Sequence, residues 1–579
     1  MDMILSVEET KELLDVAKGK KAGSLLLKNV RLLDVYGEKI YPASILMKNG
    51  RIVAVNPSES CYAEREIDGN NLIALPGFVD PHFHIDSTQG TPASLAEAIV
   101  PWGTTTLCGE ILDITHFAGI YGKGPVETAK AFLKEYERFP YRLLPLAPGK
   151  MSDSKVTEEL MDWEGTFGLG EVLSHNILCQ EEPYLNILHK ARKEGKFISG
   201  HILHIVWDFP DDDVKARPLG FRQMSDDEIN QFAIMGYPHD HEIFNYEGVD
   251  RILSRGMSPL VRTFEGLAKR VMSGVLNDHV PTENISFCMD DLFLQDIKMN
   301  GHLNLAVQQA IDLGISPIKA IKMATLNTAK NIGLEREVGS LAPGRFADIL
   351  LVPSLSDITP RFVYKGGELV AKDGHLIEDV HVDYSELQWK WEKHLEELAK
   401  EDLAYEPTDQ ELSADKKTAR VPVYHVIKRI FEEKELRVVE GKVLPDVSRD
   451  IIRAVVVDRN DTRKVIKLFI SGFNLKEGAM AINFNQNIYR IIAVGLEVGP
   501  MLAALKKIDQ HLGGMVVVDK EEAVVEFLEL DIAAVASSRS CHDIVSKVNA
   551  MEEKIKTWGV DIDNALMILW FTGFLYLWD

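Results

Sequence analysis

The sequence predicts an α/β barrel inserted in a small β-sandwich domain, with a further α/β domain behind it. Three observations predict it. Short alternating strands occupy residues 24–75, the same texture returns at 346–380, and between them apolar runs alternate with helical patterns. Strand–helix alternation is the signature of parallel βα units, and strand-rich pieces on both sides of it build one domain around the insertion.

Each element has its own justification. The opening MDMILSVEETKELLDVAKGKK is charged and amphipathic, with no secretory apolar region, and reads as a helix. SLLLKNVRLLDV, SILMKNGRIVAV and NLIAL alternate apolar and polar positions between Gly or Asn turns, as half-buried strands do. Residues 1–75 are therefore the N-terminal helix and first half of the β-domain. Residues 76–334 form the barrel, with TTTLCGEIL, VETAKAFLKEYERF and RLLPLAPG setting the rhythm. ADILLV, FVYKGGELVAKDG and HLIED place the second half of the β-domain at 335–386. Segment 387–420 is charge-dense and reads as a helical connector, with Trp389, Trp391 and His394 packing it on the barrel. Residues 421–579 form the C-terminal α/β domain, with strands such as AVVVD, VIKLFIS, RIIAVG and GGMVVVD and a helix at 498–511. The apolar run Ala565–Trp578 is about 14 residues long, short of the ~20 needed to span a bilayer, and reads as core.

Composition narrows the function classes. A chain that is 46% hydrophobic and 26% charged is ordinary globular material. The net charge of -24 argues against a general nucleic-acid partner, because phosphate binding needs a concentrated basic surface. Cys61, Cys108, Cys179, Cys288 and Cys541 are scattered and form no CxxC pair, so free thiols in a reducing compartment are expected. The cytoplasm is the expected location, with no membrane partner. Self-association through an exposed part of the apolar C-terminus stays open. No GxxxxGK[ST] phosphate loop is present, and turns explain the Gly-rich stretches. The acidic run Asp208–Asp213 reads as a solvated turn rather than a cation site.

The strongest chemical signal is NLIALPGFVDPHFHID. Side chains two apart on a strand share a face, so His82 and His84 project together, as two imidazoles gripping one metal ion must. The strand's C-terminal end opens onto the barrel mouth, where such folds place chemistry. Further ligand candidates follow short apolar or Gly-rich runs. They are Glu171 in TFGLGEVL, His201 in KFISGHIL, His241 in MGYPHDHEI and Asp290 in ISFCMDD. His204, His239 and Asp291 stand beside them as alternatives.

These segments resemble the amidohydrolase superfamily, and within it most closely the adenine deaminase family. The likeness runs from about residue 24 to the C-terminus. It rests on PGFVDPHFHIDS, PWGTTT at 101–106, GLGE at 168–171, DHE at 240–242, MDD at 289–291 and GHLNLAVQQAIDLGISPIKAIKMATLNTAKNIGL at 301–334. GSLAPGRFADILLV at 339–352 and, further on, GFNLKEGAMA and GGMVVVD continue it. The resemblance implies a (β/α)8 TIM-like barrel holding one or two divalent ions, Mn2+ being expected and Fe2+ or Zn2+ the alternatives. It implies His82, His84, Glu171, His201, His241 and Asp290 as metal ligands. It also implies deamination of adenine to hypoxanthine and ammonia, by attack of metal-activated water at C6. Asp290 would shuttle the proton, and Glu171 or Glu242 would protonate a ring nitrogen. Another amino-substituted heterocycle or a cyclic amide is the alternative substrate class, and a catalytically weak paralogue with a binding role is the second alternative.

The chain departs from the family pattern in places. An Asp-Pro-His-Glu run becomes Glu110-Ile111-Leu112-Asp113, a His-Asp-Ser-His run becomes Gln486-Asn487-Ile488-Tyr489, and Gly-Leu-Met-Ser becomes Ala534-Val535-Ala536-Ser537. These changes spare the ligand set and alter what surrounds it.

Overall fold

The computed structural model of the chain describes residues 3–151, 153–172, 174–202, 205–208, 220–263, 267–390, 392, 394–459, 464–484 and 490–573. The N-terminal helix spans Val7–Ala17 and is capped reciprocally by Ser6 and Glu9. Strands from both flanks of the predicted insertion then meet in one nine-stranded sheet. The junction is Ile349–Val352, antiparallel to Ile73–Pro76, with Leu350 opposite Leu75.

Period-two alternation assigns each residue of the sheet to a face. Ile349 and Leu351 join Leu27, Ile45 and Ala74 in the sheet's own core, while Leu350 and Val352 join the apolar cluster of the barrel. The alternation predicts a sandwich; the chain bends a single sheet instead. Its long strand Gly23–Asp34 carries a bulge between Leu27 and Val30. The first half pairs with Ala63–Asp68 and the second with Ile73–Pro76. A bulge bends and twists its strand, which lets one sheet enclose an apolar core.

Between the flanks lie eight short strands in a parallel arrangement: β1 (Phe78–His84), β2 (Thr104–Glu110), β3 (Arg142–Ala147), β4 (Gly168–Leu169), β5 (Phe197–Ile198), β6 (His239–Asp240), β7 (Ser258–Arg262) and β8 (Ser286–Cys288). β1 to β5 form one arc and β6 to β8 a second. The arcs meet where Asp290 bridges Phe83. There the His84 amide donates to the Asp290 carbonyl and the Asp290 amide to the His82 carbonyl, both at 3.2 Å.

At the other seam, β5 to β6, no backbone ladder forms among the described residues. The Gly200 amide donates to His239 Nε2 at 3.1 Å and the Ile202 amide to Asp240 Oδ1 at 2.8 Å. Side chains thus stand in for the carbonyls of a ladder. Gly200 is needed at this approach, since a Cβ would lie 1.7 Å from the His239 carbonyl oxygen. The fold is a mixed α/β architecture whose parallel arcs follow the order of the predicted barrel.

A second nine-stranded sheet runs from Thr418 to Glu529. Val455, Val457, Ala481 and Ala493 face the helix Val498–Asp509. Ala454, Val456, Met480 and Ile482 face the other way, toward Cys541–Thr557 and Ala565–Thr572. That second face belongs to one apolar cluster with the helix Leu294–Asn300 behind β8. Ala565, Leu566, Leu569 and Trp570 are buried, in keeping with the core reading of the C-terminal run. Among the described residues no helix is long and apolar enough to cross a membrane, and all five cysteines are free.

The connector corrects the sequence expectation. Among the described residues of 387–420, helical structure is confined to the end of the turn Ser385–Leu387 and the turn Lys400–Leu403. The amides of His394 and Leu395 both donate to Asp509 Oδ2, at 2.9 and 2.8 Å, and Leu395, Leu398 and Leu403 are buried against the helix Val498–Asp509. Tertiary burial and one side-chain acceptor outweigh the helical propensity of the charged residues. Trp389 does pack on the barrel side, stacking on Phe117 and Tyr121 with centroids 6.1 and 5.6 Å apart. Trp391, His204, residues 209–213, Gln486–Tyr489 and residues 574–579 lie outside the described residues.

Candidate metal centre

The C-terminal ends of the parallel strands bring the predicted residues to one place. His82 and His84 close β1, Glu171 lies two residues past β4, and His201 lies three past β5. His241 and Glu242 follow β6, and Asp290 follows β8. One ligand atom each from His82, Glu171, His241 and Asp290 lie within 4.8 Å of one another, and all four residues are buried.

Glu171 Oε1 is the hub. It lies 2.8 Å from His241 Nε2, 3.0 Å from His82 Nε2, 3.2 Å from His201 Nδ1 and 3.5 Å from His84 Nε2. Asp290 Oδ1 lies 3.2 Å from His82 Nε2 and 3.5 Å from His84 Nε2. The Ser199 hydroxyl, 3.0 Å from His82 Nδ1, holds that ring from behind. Asp290 has φ +60°, a left-handed conformation that Asp tolerates better than most residues.

Two cations that sequence reasoning missed flank the cluster. Lys150, past the end of β3, sets its ammonium against Glu171 Oε2. Arg262, the last residue of β7, lies 2.9 Å from Glu242 Oε1 and 2.5 Å from Asp290 Oδ2. Neither belongs to a spaced motif. The signal that would find them is position alone: each follows a short apolar run, in LLPLAPGK and SPLVR.

Burial opposes charge on every group here, and the partners decide the outcome. Burial raises the Glu171 carboxyl, yet His201 and Lys150 hold it well below its usual range. Asp290 is likewise buried, and Arg262 and His82 hold it low. Burial lowers the His82 imidazole, but Glu171 and Asp290 bring it to about 9. His241, buried and facing His82, falls to about 4.

The Glu110–Asp113 departure also lies at the site. Burial and Glu171 push Glu110 up to about 7, and its Oε2 accepts the Glu171 amide at 3.1 Å. Gly170 makes room for it, since a Cβ there would lie 2.4 Å from Glu110 Oε1. Burial and Asp86 raise Asp113 well above its usual range. Of the alternative ligands, His239 turns its Nε2 to the Gly200 amide, and burial pushes its imidazole down to about 3. Asp291 accepts from the Ser87 hydroxyl and forms a group with His84 and Asp290.

The residues fit a divalent cation. Glu171 Oε1 sits among four imidazole nitrogens at 2.8–3.5 Å. Nitrogen lone pairs and carboxylate oxygens that converge in this way are satisfied by a metal ion. Asp86, Glu110, Asp113 and Asp291 add buried carboxyl groups to Glu171, Glu242 and Asp290. Burial raises the first four, and a cation bound beside them favours their ionised form.

Imidazoles and carboxylates gathered at the C-terminal ends of parallel strands define a metal-dependent hydrolase of the amidohydrolase kind. Residues 258–370 match the model of the amidohydrolase family, and residues 429–577 match that of the adenine deaminase C-terminal domain. The chain is 33% identical to the adenine deaminase of Desulforamulus reducens, over 98% of its own length and 95% of that protein's. The adenine deaminase of Halalkalibacterium halodurans is 28% identical, over 97% of this chain and 91% of the relative. The chain belongs to the adenine deaminase family. Among solved structures, an adenosine deaminase from Xanthomonas campestris matches 63% of this chain and 96% of its own at 14% identity, with a TM-score of 0.44; that likeness carries no weight beside the sequence matches.

Proposed function

We propose that the chain is a metal-dependent aminohydrolase that converts adenine to hypoxanthine and ammonia. The observation that carries the proposal is the buried imidazole–carboxylate cluster around Glu171, in a chain that matches adenine deaminases over nearly their full length. His82, His84, Glu171, His201, His241 and Asp290 are the proposed ligands. Bound there, a divalent cation supplies Lewis acidity and lowers the pKa of coordinated water.

The side chains then manage protons. Hydrolysis at C6 moves one proton of the attacking water to the ring and the other to the departing amine. Asp290, held as a carboxylate by Arg262, takes the proton destined for ammonia. Glu242 rests ionised against the same guanidinium, so it must accept a proton before delivering one to a ring nitrogen. Both oxygens of Glu171 and both of Glu242 face other groups, so Glu171 stays the alternative to Glu242 for that proton. Carboxylates placed at the reacting atoms suit this general acid–base work.

A second substrate reading has an observation behind it. Glu110 and Asp113 place two further carboxylates near His84, where they alter the wall of the site. A different amino-substituted heterocycle or a cyclic amide is therefore the alternative. The wider reading comprises a closed (β/α)8 barrel at 76–334, flanks at 1–75 and 335–386 and a C-terminal domain at 421–579. Manganese is the proposed ion and the cytoplasm the proposed location. The test is ammonia release by metal-reconstituted protein across adenine, other purines, pterins and cyclic amides. Release from another compound but not from adenine overturns the substrate; no release from any of them favours a binding role.

A further inference from the structure

Far from the imidazole cluster, the C-terminal sheet buries a cation that has no counter-charge. Arg453 lies on the strand Ile451–Asp458, and only 7% of it is exposed. Its Nε donates to the Leu496 carbonyl at 3.3 Å, while Nη1 is buried and donates to nothing. Arg142 and Arg459 are buried too, but Asp348 and Asp509 stand beside them at 2.7 and 3.9 Å. Arg453 forms no ion pair among the described residues. The Phe469 ring, its centroid 5.9 Å from Arg453 Cζ, offers a π face and no full negative charge. A guanidinium cannot shed its proton, so it cannot escape the cost of burial by neutralising itself.

The side chain is aimed at the start of a helix that lacks an anion as well. Strand alternation puts Arg453 on the face of Val455 and Val457, which pack against the helix Val498–Asp509. Arg453 pairs with Gly495, and Leu496, whose carbonyl holds Nε, is two residues ahead of Val498. This twelve-residue helix has no acidic residue in its first turn and no side-chain cap. The amides of Val498 and Gly499 donate to no atom among the described residues, and Pro500 has no amide hydrogen. Glu497 is exposed and caps nothing. Glu522 reaches the flank of Gly499, but Lys400 engages it there, and it accepts from neither amide.

One ligand chemistry answers both needs. Helix N-termini hold phosphate through their free amides and the positive end of the helix dipole. A guanidinium with both terminal nitrogens free grips two oxygens of the same group. A planar carboxylate would spend its two oxygens on that fork, whereas a tetrahedral oxyanion keeps others for the amides. We propose that Arg453 and the first turn of the helix Val498–Asp509 form a binding site for a phosphate group, free or as a monoester. It lies in the C-terminal domain, outside the metal centre, and does not depend on the reaction assigned to that centre.

The test is direct binding. Metal-loaded full-length protein, dialysed free of oxyanions, is titrated calorimetrically with inorganic phosphate and, separately, with adenosine monophosphate. Saturable binding is expected, and Arg453→Met is expected to weaken it at least ~tenfold, as loss of charged hydrogen bonds does. Val498→Pro is expected to weaken it severalfold, because proline suits the first helical position and removes only the amide donor. Melting curves in oxyanion-free buffer establish that each variant is folded. Tighter binding of the monoester makes a phosphorylated metabolite the ligand. Equal or tighter binding of inorganic phosphate makes it the free ion, and either result supports the site. Unchanged affinity in either folded variant, as phosphate captured by the metal centre would give, overturns the inference. A wild type that binds neither probe overturns it as well.

Discussion

Asp290 combines a left-handed backbone with a carboxylate divided between imidazoles and a guanidinium. Asparagine tolerates the same backbone and keeps an oxygen for the ion, but it cannot accept a proton. Asp290→Asn is therefore expected to lower turnover by ~10²–10⁴ with metal content retained. Steady-state ammonia release and metal analysis of the same preparation check it, and unchanged turnover refutes the proton shuttle. Arg262→Met leaves Glu242 and Asp290 buried without their cation, a change expected to cost about 3–5 kcal/mol. A denaturant melt of the metal-free protein measures that loss. At this scale the residues of the cluster were legible in the sequence because imidazoles and carboxylates at strand ends have few substitutes. His82 and His84 share a strand face by spacing alone, and Glu171, His201, His241 and Asp290 repeat the strand-end position. Lys150 and Arg262 hold the same kind of position. A lone cation after an apolar run looks like any surface lysine or arginine until the fold shows what it faces.

Elements rather than residues decide the next prediction. The helix Leu294–Asn300 behind β8 packs on Cys541–Thr557, and between them lie the buried carboxyl groups Asp296 and Glu552. Burial and Glu552 push Asp296 up to about 7, against ~3.9 in an unfolded chain. The folded state thus binds the proton more tightly. Stability present below pH ~4 is lost as the pH rises through about 7. Asp296→Asn removes that loss. It is expected to stabilise the protein by up to about 4 kcal/mol at pH 8 and to confer no such gain at pH 4. Thermal midpoints of parent and variant at the two pH values test it, and an equal difference at both speaks against the titration. Legibility was uneven among elements. The strands of both flanks could be read from alternation, and their pairing from the shared texture. The connector could not, because its helical look comes from charged residues. The two amides on Asp509 and the burial of Leu395, Leu398 and Leu403 are invisible until the last sheet is in place.

For the molecule as a whole, the apolar cluster that runs from the barrel strands into the helices Cys541–Thr557 and Ala565–Thr572 is continuous. The Ser537 amide adds a direct tie, donating at 2.9 Å to the Gln89 carbonyl just past the histidine pair. Removing residues 421–579 would bare the apolar side of the helix Leu294–Asn300, and the truncated chain is expected to be insoluble. Soluble, folded product from that deletion contradicts this account of the interface. An ion that binds only the folded chain stabilises it by mass action, by about 2.7 kcal/mol at a hundredfold excess over its Kd. Chelation is accordingly expected to lower the melting midpoint, and refilling with Mn2+ to restore it. A midpoint indifferent to chelator is the contrary result. The family and the order of the parallel strands could be read from the sequence at this scale, whereas the seam between β5 and β6 could not, since it depends on side chains of β6 standing in for its own carbonyls.

The pairing of Ile73–Pro76 with Ile349–Val352 sets an order of events during synthesis. The early strands leave the ribosome with their junction partner still some 270 residues away, roughly 14–54 s at ~5–20 residues per second. For that interval the edge of the unfinished sheet stands open while the barrel between its halves is being made. An open strand edge is a template for pairing with another chain. Slow translation through the barrel, or a pause within it, should therefore lower the yield of native protein most when the nascent chain is crowded by its own copies.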